Sequence, residues 1–262
     1  MTWNVWWRFG PRWRARQAGI LETLQSCDPD IVALQEVWAT DRTTQVDVLG
    51  SRLGLHPAFA PTSLPPAPDP PPTPEQRGVR MGLGLLSRWP ITEIRHSVMP
   101  ARHRPAPTSL VATLEHPAGP LHVIVTCLEW EPAFQDDRLA QARSLARLAS
   151  ESALDGPLPV VVAGDLNAPP DSPVLQILTD GLIDAWVAGG GDPEAVTLSS
   201  AHPFAPDVPE LIDKRIDHVL VRPGNPRQQV QVDKAFLADH PVDGLESSDH
   251  HAVACDLRWS HP

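Results

Sequence analysis

Val160-Val161-Val162-Ala163-Gly164-Asp165-Leu166-Asn167 runs from four apolar residues into an acid, with an amide two positions later. Four consecutive apolar side chains leave no polar face, so a strand built from them is buried on both sides of its sheet. Its polar side chains emerge only at its end, where a sheet opens into a cleft. The same arrangement recurs along the chain. Asp30-Ile31-Val32-Ala33-Leu34 leads into Gln35-Glu36, and Asn4 sits inside Thr2-Trp3-Asn4-Val5-Trp6. Arg215-Ile216-Asp217-His218 precedes Val219-Leu220-Val221, and Ser248-Asp249-His250-His251 precedes an apolar stretch at Ala252 to Leu257. Each is a polar group abutting a β-like run.

The rest of the chain supplies helices, further strands and breaks. Arg14 to Ser26, with Ala18, Leu21 and Leu24 separated by polar residues, predicts an amphipathic helix. It stops before Asp28-Pro29, because a residue preceding proline is pushed out of helical angles. Helices are also expected over Thr43 to Leu53, from Ser172, and over Gln135 to Ser152, where Leu139, Ala142, Leu145, Ala146 and Leu148 share a face. Met81 to Ser87, Ser109 to Glu115 and Leu121 to Leu128 read as strands, the first two joined through an Arg-, His- and Pro-rich segment at 95–107. Pro61 to Pro74 holds eight prolines in fourteen residues, which predicts a mobile, polyproline-like surface loop and no packed element. Residues 188–210 read as irregular. No internal repeat stands out, and residues 1–262 read as one domain.

At 262 residues and 42% hydrophobic content the chain can bury one large core. No stretch reaches the roughly 18 to 20 apolar residues of a membrane span. The first residues lack the basic-then-apolar pattern of a secretory signal. Cys27, Cys127 and Cys255 are too few and too far apart for a disulfide framework or zinc cluster, so a cytoplasmic location is expected. The net charge of −11 lies entirely in residues 132–262, which hold 9 Lys/Arg against 20 Asp/Glu; residues 1–131 balance 12 Arg with 12 acids. A general duplex-DNA binder should be basic overall, which argues against that class. Arg8, Arg12, Arg14 and Arg16, and then Arg77, Arg80, Arg88, Arg95, Arg102 and Arg104, form local groups. They suit bidentate contacts to a small phosphorylated substrate, or they are solvated surface.

Carboxylates, amides and an imidazole at strand ends suggest one hard-metal, phosphate-handling site assembled from distant parts of the chain. Glu36 would meet the metal directly. Asn4 would support that metal shell, or else cap a turn beside the tryptophans. Asp165 would take a proton from an attacking water while Asn167 donates to a phosphate oxygen, and an Asx turn before Pro169-Pro170 is the competing explanation of both. Asp217 and His250 form an acid–imidazole pair in which the carboxylate fixes the tautomer and favours the charged ring facing the phosphate. Asp249 would point the other way, toward the metal or its waters. His218 and His251 are assigned to core or solvent. Trp6, Trp7, Trp13 and Trp130 either line the cleft mouth, with Trp130 taken as a substrate contact, or pack in the core.

These pieces, in this order over nearly the whole chain, resemble the endonuclease/exonuclease/phosphatase superfamily. The resemblance implies an α/β four-layer sandwich, two packed mixed β-sheets flanked by helices on both outer faces, with a divalent metal in the cleft at one end. It assigns Glu36 the metal and places the start of the first strand several residues upstream. It implies a Mg²⁺-dependent hydrolase of phosphoric esters, with Mn²⁺ as a possible substitute. The substrate is a nucleic acid, or a small or lipid phosphoester, and no stable protein partner is implied. One departure stands out: many members carry a histidine where this chain has Cys127, and the tyrosine of abasic-site endonucleases is absent because the chain has no Tyr. The leaving-group acid is therefore unassigned, with a metal-bound water as a substitute. The alternative function is a catalytically silent scaffold of the same fold that binds a phosphorylated partner.

Overall fold

The computed structural model describes residues 1–206, 208–239, 241 and 244–260; the remaining positions of the 1–262 stretch read as one domain lie outside the described residues. Its strands are β1 Thr2–Asn4, β2 Ile31–Ala39, β3 His56–Pro61, β4 Arg80–Ser87, β5 Ile91–Val98, β6 Thr108–His116, β7 Gly119–Cys127, β8 Val160–Asp165, β9 Ile183–Asp184, β10 Asp217–Arg222, β11 Gln229–Ala238 and β12 Ala252–Ser260. The helices are α1 Trp13–Cys27, α2 Gln45–Leu53, α3 Gln135–Ala149, α4 Pro173–Thr179 and the single turn α5 Ala185–Ala188. One sheet has the order β11-β12-β1-β2-β4-β3 and the other β5-β6-β7-β8-β10-β9. Each contains one parallel pair, β1 with β2 and β7 with β8, and is otherwise antiparallel. Helix α1 makes the first parallel crossover and α3 the second, so both pairs end at the same kind of open edge.

Strand β8 shows why this is a four-layer α/β sandwich. Val161 and Ala163 point between the sheets, into a core shared with Leu83, Leu85, Leu110, Val123 and Val253. Val160 and Val162 point outward, against Leu145 and Leu148 of α3 and Leu175 and Leu178 of α4. The alternation is the ordinary period of two, with apolar layers on both sides. On the other sheet, Trp3, Val32 and Leu34 face Ile20 and Leu24 of α1 and Val46 and Leu49 of α2. Each fully buried Val or Leu contributes about 1.5–3 kcal/mol of transfer free energy, so these layers dominate cohesion.

Helix ends follow local chemistry. Helix α1 ends at Cys27, and the left-handed Asp28 donates its N–H to the Leu24 carbonyl at 3.0 Å before Pro29. Thr44 caps α2 in a reciprocal box with Asp47, and Ser172 caps α4. None of the four sheet edges, β3, β5, β9 and β11, was expected. Edge strands bury little and pair on one side only, so they carry little apolar pattern: six of the eight residues of β5 are exposed and the other two half-buried, and it is held by its ladder to β6.

The proline segment is an irregular, largely exposed strap, pinned to the body at a few points. Pro61 closes β3, Leu64 is fully buried, and the Ser63 hydroxyl donates to the Pro105 carbonyl at 2.7 Å. Prolines carry no N–H, so this strap packs without needing a ladder partner.

Gly164 sits where β7 and β8 approach most closely. A Cβ there would overlap the carbonyl of Thr126, its register partner. Gly164→Ala is therefore expected to cost about 1–3 kcal/mol through overpacking, and to shift Asp165 beside it. Thermal melts of the variant and wild type measure this, and an unchanged melting point would remove the close approach as a constraint.

Candidate active site

Asp165 closes β8, and its backbone carbonyl accepts from Leu128 N–H at 3.0 Å. Its Oδ1 accepts the backbone N–H of Asn167 at 2.9 Å, and Asn167 itself is left-handed, with φ +47°. The Asx turn and the site are thus one feature. Asp165 and Asn167 come together through this turn. Asn167 Nδ2 donates to the Leu128 carbonyl at 2.9 Å and, weakly, to Cys127 Sγ at 4.0 Å on the cleft floor.

Glu36 owes its place to a bulge. The register of β2 on β4 shifts between Leu34 and Val37, and Glu36 lies there with φ +55°. Bulges re-aim side chains, and a non-glycine residue in this region costs of order 1 kcal/mol or more. Asn4, one sheet-partner away, donates from Nδ2 to Glu36 Oε1 at 3.0 Å and to Asp165 Oδ2 at 3.1 Å. Its Oδ1 accepts the Trp6 N–H at 3.0 Å. Asn4 therefore faces the acids with its nitrogen, and the metal-ligand role expected for it gives way to that of a donor bridging two carboxylates from opposite sheets.

Asp217 Oδ2 lies 2.8 Å from His250 Nδ1, so that nitrogen carries a hydrogen toward the acid. The opposite nitrogen, Nε2, is 4.0 Å from Asp165 Oδ2, a gap the size of one bridging oxygen. Trp3 Nε1 donates to the His250 carbonyl at 2.8 Å, and Ser248 Oγ donates to the Asn4 carbonyl at 2.7 Å, fixing the Ser248–His250 segment against β1. Thr197 Oγ1 accepts the N–H groups of Ile216 at 3.0 Å and Asp217 at 3.3 Å. Asp249 stands on the Glu36 side and raises the affinity of Glu36 for a proton.

The electrostatics are those of acids crowded out of water. Burial, with Asp249 next, pushes Glu36 up to about 8. Burial, with Asp217 next, pushes Asp165 up to about 7. Asp249 is raised by burial as well. Burial works against charge on His250, but Asp217, then Asp165 and Asp249, hold its pKa well above the ordinary imidazole value. Glu36 Oε2 and Asp217 Oδ1 are buried without a hydrogen-bond partner. Buried carboxylate oxygens are costly unless a cation meets them. Asp165, Asp217 and His250 also place one ligand atom each within 4.8 Å of one another. The donor set is oxygen-rich, with Glu36 and Asp249 opposite the His250 pair, and fits a hard divalent cation.

Around these groups lies a cleft of about 370 Å³ whose walls are mostly apolar: Trp6, Phe9, Trp130, Phe204, Leu211 and the strap prolines Pro65, Pro66 and Pro68. This separates the four tryptophans the sequence left undecided. Trp6 and Trp130 face the cleft, while Trp7 and Trp13 pack with Trp38, Val79 and Met81. Cys127 pairs in register with Asp165 and belongs both to the core and to the cleft floor. Burial, with Asp165 next, raises its pKa well above that of a free thiol, so it stays neutral. His218 is a core group, neutral with its pKa lowered to about 4 by burial and by Arg215, and His251 lies 3.3 Å from Asp239.

Sequence reading missed the groups that hold the Asn167 turn. Arg138 of α3, buried, donates to the Asn167 carbonyl at 2.5 Å. His218 Nε2 donates to the next carbonyl, Ala168, at 2.9 Å, with Arg215 at 2.7 Å on Nδ1 and Asp184 behind Arg215 at 2.9 Å. An arginine at a helix position near a cleft carries no signal of its own in one sequence; only the carbonyl it meets shows its use.

A paired acid and imidazole thus face buried carboxylates at the open end of a four-layer α/β sandwich. The sequence pattern of the Endonuclease/Exonuclease/phosphatase family matches residues 1–250, and the chain belongs to that family. Inositol phosphosphingolipids phospholipase C of Schizosaccharomyces pombe is 25% identical over 297 residues, covering 97% of this chain and 66% of that protein, so the chain spans just under two thirds of that relative's length. D. rerio TDP2 complexed with single strand DNA product superposes with a TM-score of 0.78 at 21% identity, covering 98% of this chain and 97% of that one. The human Nocturnin catalytic domain with bound sulfate anion gives 0.73 at 19% identity, covering 98% and 93%. At these identities the two structures show the shared fold.

Arg138→Met removes the donor to the Asn167 carbonyl but keeps the length of the side chain. Turnover of a phosphodiester is expected to fall about ten- to a hundredfold with little change in KM, since small misplacements cost that much. In an Asn167→Ala background the same substitution should cost little more. Full, independent losses in the double variant would show that Arg138 does not act through Asn167.

Proposed function

We propose that this chain hydrolyses a phosphodiester with the help of a divalent cation, Mg²⁺ first and Mn²⁺ as a substitute. The observation that carries the reading is the 4.0 Å gap between His250 Nε2 and Asp165 Oδ2, with Asp217 at 2.8 Å behind the ring. Glu36 and Asp249 would hold the cation, which when bound supplies positive charge to a phosphoryl oxygen and eases deprotonation of the attacking water. Asp165, with a pKa near 7, is suited to accept that water's proton at neutral pH. His250, kept charged by Asp217, donates from Nε2 to a phosphoryl oxygen in the gap. The amide hydrogen of Asn167 not given to Leu128, held only by a weak 4.0 Å contact to Cys127 Sγ, donates to a second one, so charge developing in the transition state meets fixed donors. Asn4 keeps Glu36 and Asp165 at one spacing by donating to both.

The walls favour a substrate class. No Lys or Arg lines the cleft among the described residues, so additional phosphates would have no cation to meet there. A single phosphodiester carrying a large apolar group fits better, with that group against Trp6, Phe9, Phe204 and Leu211. The similarity to a phospholipase acting on phosphosphingolipids supports the same class.

Two measurements test this reading. Purified protein should cleave bis-p-nitrophenyl phosphate with Mg²⁺ and lose activity with a chelator, and Glu36→Gln should need about tenfold or more additional Mg²⁺ for half-maximal rate, having lost one ligand carboxylate. No metal-dependent cleavage would leave the silent scaffold as the better description. Along a series of alkyl p-nitrophenyl phosphates, kcat/KM should rise by up to about fourfold per methylene while the chain is being buried, from about 0.8 kcal/mol each. A flat series would sink the apolar-group assignment while leaving the chemistry in place.

A further inference from the structure

Along one edge of the cleft mouth the charge is opposite to that of the chain as a whole. Arg12, Arg14, Arg77 and Arg80 are exposed there and Arg8 is half-buried, in a protein of net charge −11. Contacts place Arg8, Arg14 and Arg80 on one face, Arg77 lines a groove with Arg80, and Arg12 immediately precedes α1. Arg8 Nη1 donates to the Glu75 carbonyl at 2.7 Å and Gln76 Nε2 donates to the Arg8 carbonyl at 2.7 Å, which joins the segment before α1 to the segment before β4. Arg14 pairs with the Glu75 carboxylate, and Trp7 Nε1 donates to the Arg80 carbonyl at 3.0 Å. Acids near this face include Glu75, already paired, Asp69, which lines a groove with Arg77 and Arg80, and exposed Asp41, two residues past the register partner of Arg80.

That groove and the cleft share a wall. Pro68 lines both, so the proline strap is a rib between the arginines and the site. Pro66, Pro70, Pro72 and Pro74 are exposed on it. A backbone with so few N–H groups loses little hydrogen bonding when it leaves water for an apolar interface. Phe204, 51% exposed, stands at the same mouth against Trp6, with ring centroids 6.0 Å apart.

We propose that the arginine face and the proline strap form one docking surface for the anionic headgroups of a lipid bilayer, from which the apolar group of the substrate enters the cleft. The proposal rests on the reading of the site as one for a phosphodiester with an apolar group. Positive side chains beside an apolar edge are the pattern that binds an anionic membrane surface. A single-stranded nucleic acid fits less well. Its bases need open aromatic faces beside the cations, whereas among the described residues of the arginine face Trp13 lies under the guanidiniums of Arg8 and Arg14, at 4.2 and 4.6 Å, and Trp7 and Trp38 are buried; the open ring of Phe204 belongs to the cleft mouth, where no Lys or Arg stands among the described residues.

The test is co-sedimentation of the full chain with phosphatidylcholine vesicles, with and without phosphatidylserine, beside a fluorescent single-stranded oligonucleotide. Binding is expected only to the phosphatidylserine vesicles, weakening in high salt. The triple variant Arg12→Glu, Arg77→Glu, Arg80→Glu should bind them about a hundredfold more weakly, at about tenfold or less per charge, while hydrolysing bis-p-nitrophenyl phosphate as wild type does. Absence of binding by wild type, equal binding by a folded triple variant, or binding to the oligonucleotide alone would overturn the docking surface. If melts show the triple variant unfolded, the salt response of wild type decides: binding that persists undiminished in high salt overturns the proposal. Failure of wild type to cleave the soluble ester would instead count against the proposed reaction, and it leaves the vesicle result readable by itself.

Discussion

The amide of Asn4 is the interaction on which the site's geometry depends. One nitrogen donates to Glu36 from its own sheet and to Asp165 from the opposite one, at 3.0 and 3.1 Å. Two carboxylates cannot approach each other in a buried place without a donor or cation between them. Asn4 supplies the neutral part of that requirement, and a divalent cation held by Glu36 and Asp249 would supply the charged part. The tie is possible because β1 and β2, and separately β7 and β8, run parallel and end at the same side of the sandwich. Every other group at the site is hung from those four strand ends or from the neighbouring ends of β10 and β12.

The surrounding loops are stiffened in an unusual way, by buried arginines that collect carbonyls. Arg16, 2% exposed, donates to the carbonyls of Phe9 and Ser247 at 2.9 Å and of Trp6 at 3.2 Å. Burial lowers its pKa to about 10, which leaves it charged at neutral pH. Arg138 does the same for Asn167. A carbonyl has lone pairs to spare where a loop leaves regular structure, and a charge-assisted bond to it is worth more than a neutral one. The left-handed turns at Trp6, Trp7 and Asn167 are held in this way, and Glu36 is held by its bulge. Backbone strain has accumulated where the chemistry lies, against a rigid sandwich that tolerates it.

The cleft combines a polar floor with apolar walls, and the two have different origins. The floor comes from strand ends, whose positions the two sheets fix. The walls come from four irregular segments: the turn after β1, the proline strap, the segment between β7 and α3 that carries Trp130, and the stretch between α5 and β10. Segments of this kind can vary in length and composition without disturbing the sheets. The fold thus fixes the polar floor and leaves the shape of the walls to its loops.

The central strands were legible because burial on both faces writes itself into composition: Val160 to Ala163 and Ile31 to Leu34 admit hardly any other reading. The acids and amides that follow them were legible for the same reason, since a polar side chain after such a run must lie at a sheet's end. The helices were found to within a few residues, because period and capping are local properties. The edge strands β3, β5, β9 and β11 were not, since a strand paired on one side carries little apolar pattern and is defined by its neighbour. The Asn167 turn, the Glu36 bulge, the donor role of Asn4 and the carbonyl partners of Arg16 and Arg138 were also hidden. The sequence determined which residues stand at the ends of the sheets and what chemistry they carry. Tertiary structure alone decided which of their atoms face one another, because a hydrogen bond between residues 161 positions apart depends on two sheets meeting, and no local pattern records that.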